Sequence, residues 1–326
     1  MPALRSLPRS RPHVYVLHEN DEWVVSLRRE FEALGVPFAE WFLDHGVLDL
    51  ASTPPEGVFY NRMSASSHTR SHRYAPEFTA AVLAWLKRHG RTVVNGPRAL
   101  QLEISKVEQY EAMKPFGIET PATVAVVGRE HIAAAADSIG YPVILKHNRA
   151  GRGLGVKLLF SRAAVEEHLS GDGFEESVDG ITLVQRYIEA PAPFITRVEF
   201  VGGHLLYAVR VDTSEGFELC PADVCQAESV ESACPVVTPG DKFQIIPDFE
   251  HSLVPAWQTF LAANNVGIAG IEFIVDAEGR AYTYDVNTNT NYNADAEARD
   301  GRRGMRTIAA YLGGLLSERA GIASAA

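Results

Sequence analysis

The sequence predicts a mixed α/β fold of about two domains: a small parallel α/β unit followed by two further sheet-bearing blocks. Three observations carry that expectation. Short apolar strands alternate with helices through residue 97, as parallel β-α-β units do. Two later pairs of apolar segments flank tight turns, Gly202-Gly203 and Glu278-Gly279, which read as hairpins. The 326 residues are 46% hydrophobic and 22% charged, the balance of a soluble globular chain with a large core.

In the first unit the apolar run His13 to Leu17 predicts a strand. A helix over 23–34 follows, stopped by Gly35 and Pro37. Residues 38–42 and 57–60 read as strands around a Pro54-Pro55 turn, 76–89 as a helix and 92–94 as a strand. Asn95-Gly96-Pro97 is a strong turn signal that ends the unit. The second block, 98–188, opens with one helix over 98–113. Strands near 122–127, 142–146, 156–160 and 182–186 follow, with helices over 130–139 and 163–169. The third block, 189–319, holds the hairpin strands 194–201 and 204–211 and a long irregular insertion, 214–250. A helix over 253–264, the hairpin 270–286, an Asn-rich loop and a helix over 305–319 complete it.

Charge narrows the function classes. Acidic residues outnumber basic ones by 41 to 30, for a net charge of −11, which argues against a chain that coats nucleic acid. A local basic pocket for a phosphorylated ligand remains compatible. Six of the 30 basic residues are Lys, leaving 24 Arg, so each Lys is informative. No apolar run approaches the roughly 18 residues of a membrane span, and the proline-broken start MPALRSLPRSRPHVYVL lacks a secretory apolar stretch. No membrane partner is expected. Cys220, Cys225 and Cys234 are too few and too clustered for a disulfide scaffold, so a reducing cytoplasm is the expected compartment. Their spacing is not that of a zinc knuckle, and three reduced thiols are preferred over a zinc site with His251.

Three segments carry chemistry. In KHNRAGRGLGV, Gly151, Gly153 and Gly155 lie between two strands, where glycines let backbone N–H groups approach a phosphate. Lys146 ends the preceding strand. The spacing is neither a dinucleotide fingerprint nor a P-loop, and a hairpin tip with solvated Arg149 and Arg152 is the alternative. In GIEFIVDAEGRAYTYDVNTNTN, Glu272 is the approximate cross-strand neighbour of Asp285 and Asn287, three oxygen ligands that suit Mg²⁺, with solvent-facing strand residues as the alternative. In VQRYIE, residues 184–189, the strand end at Gln185 offers backbone edges for an adenine. Tyr187 and Ile188 would cover the base and Glu189 would accept from ribose hydroxyls, but on this segment alone an ordinary core strand with an exposed end is preferred. The loop NRMSASSHTRSHR, residues 61–73, follows a strand of the first unit, where ligands bind in open α/β sheets. Arg62, Ser64, Arg70 and Arg73 are candidates to hold a substrate carboxylate there, with a solvated loop as the equal alternative.

Taken in order, VVNGPRALQLEISKVEQYEAMKPFGIETPAT, PVILKHNRAGRGLGV, LVQRYIE, ITRVEFVGGHLLYAVRV and GIEFIVDAEGRAYTYDVN resemble the ATP-grasp superfamily. The likeness is to its ribosomal-protein-S6-modification-like and glutathione-synthetase-like carboxylate–amine ligases. It covers about two thirds of the chain, residues 95–316. It implies a pre-ATP-grasp α/β domain over 12–97 and an ATP-grasp fold whose two parts, 98–188 and 189–319, clasp the nucleotide. It implies that Lys106 and Lys146 hold ATP. Arg197 and Arg210 would lie near the transferred phosphate, and Glu272, Asp285 and Asn287 would bind Mg²⁺, with Mn²⁺ as the alternative ion. The glycine loop would act as a lid. The implied reaction activates a carboxylate as an acyl phosphate, which an amine then displaces. Small-molecule or peptide carboxylates and amines are the implied partners, and a homodimer is among the expectations because such ligases often pair. After Asn287 the chain departs from its relatives, with Thr-Asn-Thr-Asn-Tyr-Asn in place of small residues and Pro-Gly. Asn289 on this loop is a candidate substrate contact, and the substrate class does not carry over. A small-molecule kinase and a non-catalytic nucleotide-binding protein are the alternatives.

Overall fold

The computed structural model describes residues 12–151, 153, 155–214 and 242–325, which form three sheets. The first contains β1 (His13–His18), α1 (Val25–Leu34), β2 (Phe38–Phe42), β3 (Gly57–Asn61), α2 (Ala75–Arg88) and β4 (Thr92–Val94). Its strands run in the order β2-β1-β3-β4, all parallel. β1 and β3 lie inside this order and are almost continuously apolar, as strands covered on both faces must be. β1 and β3 approach so closely at Gly57 (φ +156°) that a Cβ there would lie 2.2 Å from the His13 carbonyl oxygen.

The chain continues through α3 (Pro97–Ile104) and α4 (Lys106–Met113), then β5 (Thr123–Val126), α5 (Ile132–Ile139), β6 (Val143–His147), β7 (Lys157–Leu159), α6 (Arg162–Ser170) and β8 (Thr182–Arg186). These four strands form an antiparallel sheet in the order β5-β8-β6-β7. The single helix expected over 98–113 is two. Ser105 is extended (φ −148°, ψ 113°), and its hydroxyl accepts from the Glu108 amide at 3.3 Å, an N-cap that restarts the helix. Asn148 fixes the break from outside: its carbonyl accepts from Lys106 N at 3.3 Å and its Oδ1 from Val107 N at 3.0 Å.

The third sheet is built from β9 (Phe194–Val201), β10 (His204–Asp212), β11 (Phe243–Ile246), β12 (Ile268–Val275) and β13 (Ala281–Asn287), with α7 (Val254–Ala263), α8 (Ala294–Asp300) and α9 (Gly304–Ala325). The order is β11-β10-β9-β12-β13. β11 corrects the expectation that 214–250 is irregular throughout: Phe243 and Ile245 join the apolar layer of Ile195, Val211 and Ala296. α8 was also unexpected. It starts where the Asn293 side chain accepts from the Ala296 amide at 2.8 Å. Arg152, Cys220, Cys225 and Cys234 lie outside the described residues.

Packing joins distant parts of the chain. Ala99, Leu102, Tyr110 and Met113 of α3 and α4 share a core with Val198, Phe200 and Trp257, so these helices belong with the third sheet. α9 returns to the first sheet, where Ile308, Leu312 and Leu316 pack on Leu27, Phe31 and Val58. Among the described residues no helix is long and apolar enough to cross a membrane.

Candidate active site

A cavity of about 190 Å³ opens where the three sheets meet. Its roof comes from β6 and β8, its floor from β9, β12 and β13, and one wall from the first domain.

Two β-bulges build the floor. In the β12–β13 hairpin Phe273 pairs with Thr283, but Glu272 pairs with Asp285, so Tyr284 is the extra residue. That bulge brings Asp285 to the face of Glu272. A regular ladder would place Tyr284 opposite Glu272 and turn Asp285 away. Asn287 lies two residues on, and its Nδ2 donates to Glu272 Oε1 at 3.2 Å, which leaves its amide oxygen available. Glu272 is also hydrogen-bonded by Tyr284. Burial, reinforced by the Asp285 charge, pushes the Glu272 carboxyl up despite Arg197. Asp285 is held below its ordinary value. Burial opposes this, but the Lys106 ammonium at 2.7 Å outweighs it. The buried Glu272 and half-buried Asp285 carboxylates and one amide oxygen form an all-oxygen set, and they fit a divalent cation that neutralises the repulsion of the two acids.

Arg197 on β9 lies in the middle of this floor. Its Nε donates to Glu199 at 2.5 Å, Nη1 to Glu272 at 3.2 Å and Nη2 to the Thr290 hydroxyl at 2.6 Å. Gly270 makes room for it: a Cβ there would lie 2.6 Å from Arg197 Nη2 and 2.8 Å from Glu199 Oε2. Arg210 does not join it. A regular two-residue hairpin would pair Arg197 with Ala208 and give Arg210 the same face. A bulge between Leu205 and Tyr207 shifts the register, so that Arg197 faces Val209 and Arg210 faces Thr196. Arg210 therefore points to the opposite face, exposed and 3.9 Å from the Phe194 ring centre.

On the roof, the buried Lys146 ammonium donates to Tyr110 Oη at 2.7 Å, and Gln185 Nε2 donates to the same oxygen at 3.1 Å. No carboxylate contacts Lys146 among the described residues. Burial first, and repulsion from Lys106 second, push its pKa down to about 7. A polyphosphate arriving beside it would restore the charge. Nucleotide binding near pH 8 is therefore expected to take up protons, seen as a binding enthalpy that differs between HEPES and Tris. The uptake should shrink near pH 6, where Lys146 is already charged, and vanish in Lys146→Met. A buffer-independent enthalpy at pH 8 would contradict it.

Tyr187, Ile188, Gly151 and Gly153 line the cavity, whereas Gly155 sits beneath them against the His147 ring and Glu189 is exposed outside it. Arg149 pairs with Glu77 of α2 at 2.7 Å, which draws the glycine loop toward the first domain. The 61–73 loop divides. Ser64 lines the cavity with Ser66 and Trp23. Arg70 is neutralised by the buried Glu19 at 2.6 Å and lies over Trp23, and Arg73 donates to the Val178 carbonyl at 3.0 Å, away from the cavity. Arg62 is fully buried and spends its donors on the 289–291 loop, to which Asn289 belongs. Sequence reasoning missed Tyr110, Glu103, Glu199 and Thr290. Glu103 receives the Thr288 amide at 2.7 Å and fixes the loop after β13.

The family described as carbamoyl-phosphate synthase L chain, ATP binding domain matches residues 105–294, more than half of the chain. The chain belongs to this ATP-grasp family. Human N-acetylaspartylglutamate synthase A is 27% identical over 167 residues, 50% of this chain and 41% of its own. The chain thus spans well under two thirds of that relative. Among solved structures, a RimK domain ATP-grasp protein from Sphaerobacter thermophilus superposes with a TM-score of 0.61 at 21% identity, covering 92% of this chain and 98% of its own. The ATP-grasp ligase PsnB, solved with a minimal precursor, Mg and ADP, has a TM-score of 0.61 at 15% identity and covers 92% and 96%. These likenesses show an ATP-grasp fold.

Proposed function

We propose that this ATP-grasp protein is an ATP- and Mg²⁺-dependent carboxylate–amine ligase that works through an acyl phosphate. The observation that carries the reading is the meeting of Lys106, Lys146 and Arg197 with Glu272, Asp285 and Asn287 around one cavity. In this reading residues 12–97 wall the substrate side, 98–188 supply the nucleotide roof and lid, and 189–319 the metal floor. Tyr187 and Ile188 flank the base, and the glycine loop covers the phosphates. Lys146 and Lys106 meet the polyphosphate. When bound to Glu272, Asp285 and the Asn287 amide oxygen, Mg²⁺ would neutralise charge on the transferring phosphoryl group. Arg197 faces the same group and then the tetrahedral centre formed on amine attack, where a fixed guanidinium needs no reorganisation. The enclosing loops exclude water that would hydrolyse the acyl phosphate. Human N-acetylaspartylglutamate synthase A, whose name describes an amide-forming enzyme, supports the class. Incubation with ATP, Mg²⁺, hydroxylamine and a panel of amino acids and dicarboxylic acids tests it. ADP release with hydroxamate formation is expected. ADP release without hydroxamate from any member would favour transfer to a hydroxyl instead.

A further inference from the structure

Among the described residues, Arg62 is buried without a carboxylate partner, its guanidinium 5.9 Å from the Tyr60 ring centre. It is 2% exposed, yet all its hydrogen-bond partners are neutral. Nε donates to Asn289 Oδ1 at 3.0 Å, Nη2 to Asn291 Oδ1 at 2.7 Å and to the Thr290 carbonyl at 3.0 Å, and Nη1 reaches only Met305 Sδ at 4.0 Å. Among the described residues no carboxylate pairs with it. A buried cation without a counter-charge is costly unless something else supplies the negative charge.

The same contacts fix the two asparagines. A guanidinium only donates, so the amide oxygens of Asn289 and Asn291 must face Arg62, and each Nδ2 group must face the other way. Both residues line the cavity and are partly exposed to it. No hydrogen bond from either Nδ2 is made within the described residues. Two N–H donors polarised by one buried positive charge, and left without a partner among the described residues, thus belong to side chains of the cavity wall, which Ser64, Ser66 and Trp23 also line. Three neighbouring cations are already paired with carboxylates: Arg70 with Glu19, Arg197 with Glu199 and Glu272, and Lys106 with Asp285.

We propose that Asn289 and Asn291, backed by Arg62, form an oxyanion subsite for a second, non-reacting carboxylate, so that the substrate is an acid carrying two carboxylates. Arg62 is a positioning residue: it orients the amides and supplies the field without touching the substrate. The inference rests on the ligase reading for its reacting carboxylate, but the subsite can be tested by binding alone.

The experiment titrates two pairs into the full chain loaded with Mg²⁺ and a non-hydrolysable ATP analogue: succinate against succinamate, and L-glutamate against L-glutamine. The acid of at least one pair is expected to bind tighter than its amide by about tenfold to a hundredfold, as charge-assisted hydrogen bonds provide. Asn291→Asp keeps an oxygen toward Arg62 and turns the outward donor into a charged acceptor. It should abolish or invert the preference while amide binding is retained, and Asn289→Asp serves the same end if the first variant melts early. Equal or weaker binding of both acids, or a preference that survives both substitutions, would overturn the subsite. Preferred binding of an acid that yields neither ADP nor hydroxamate when ATP and hydroxylamine replace the analogue would leave the subsite standing and count against the ligase reading instead.

Discussion

Arg197→Met should lower the stability of the protein by about 3–5 kcal/mol, the usual cost of removing one partner from a buried charge cluster. For a chain of this size that is a fall on the order of 10 °C in melting temperature. Arg197 holds Glu199 and Glu272 on β9 and β12 at 2.5 and 3.2 Å. Burial already pushes both carboxyls above their ordinary values with the guanidinium in place. Without it they must share a buried face as two acids with no cation between them, or take up protons. The pH dependence follows in sign. A carboxyl whose folded pKa is raised favours the fold below its unfolded pKa and loses that contribution as pH rises through the folded value. The deficit of the variant should therefore be small near pH 5 and large near pH 8. Arg197→Lys restores one charge but cannot bridge both acids and Thr290, and should recover only part of the loss. A melting temperature unchanged at pH 8 would show that the cluster does not need this charge.

Asp285→Asn should reduce ATP turnover by about 10²–10³, the typical effect of removing one electrostatic contact to a transferring group. The fold should survive. The Asn oxygen can still accept from Lys106, which now bonds Asp285 at 2.7 Å, and one of two opposed carboxylates is gone. Nucleotide affinity should fall less than turnover, because Lys106, Lys146 and the glycine-loop amides remain. The magnesium concentration needed for half-maximal turnover should rise. Turnover and melting temperature measured on one preparation separate the outcomes, and full turnover at ordinary magnesium would exclude Asp285 as a metal ligand.

Most of the architecture is legible in the sequence, because it is written in local signals: apolar runs, glycine turns, and the order of five motifs. The pairing of Glu272 with Asp285 across a hairpin is legible too. Their shared face in fact depends on the bulge at Tyr284, which strand alternation does not reveal. Arg210 was placed near the phosphate by the resemblance alone, and a bulge turns it away. Its strand was correct, but one extra residue between Leu205 and Tyr207 reversed its face. The break at Ser105 was legible, since Ser105-Lys-Val-Glu108 is a capping-box pattern inside an otherwise helical run. Arg62 was not. Its burial arises from a contact with residues 289–291, more than two hundred positions away, and no local pattern encodes such a partner.

The central claim is that the cavity between the Lys146 strand and the Glu272–Asp285 hairpin is a magnesium–nucleotide site. Calorimetric titration of ATP into the folded protein, with Mg²⁺ and again with the metal chelated, tests it most directly. The account predicts one-to-one binding that weakens sharply on chelation and in Asp285→Asn. No detectable ATP binding in the presence of Mg²⁺, by protein that melts cooperatively, would contradict it.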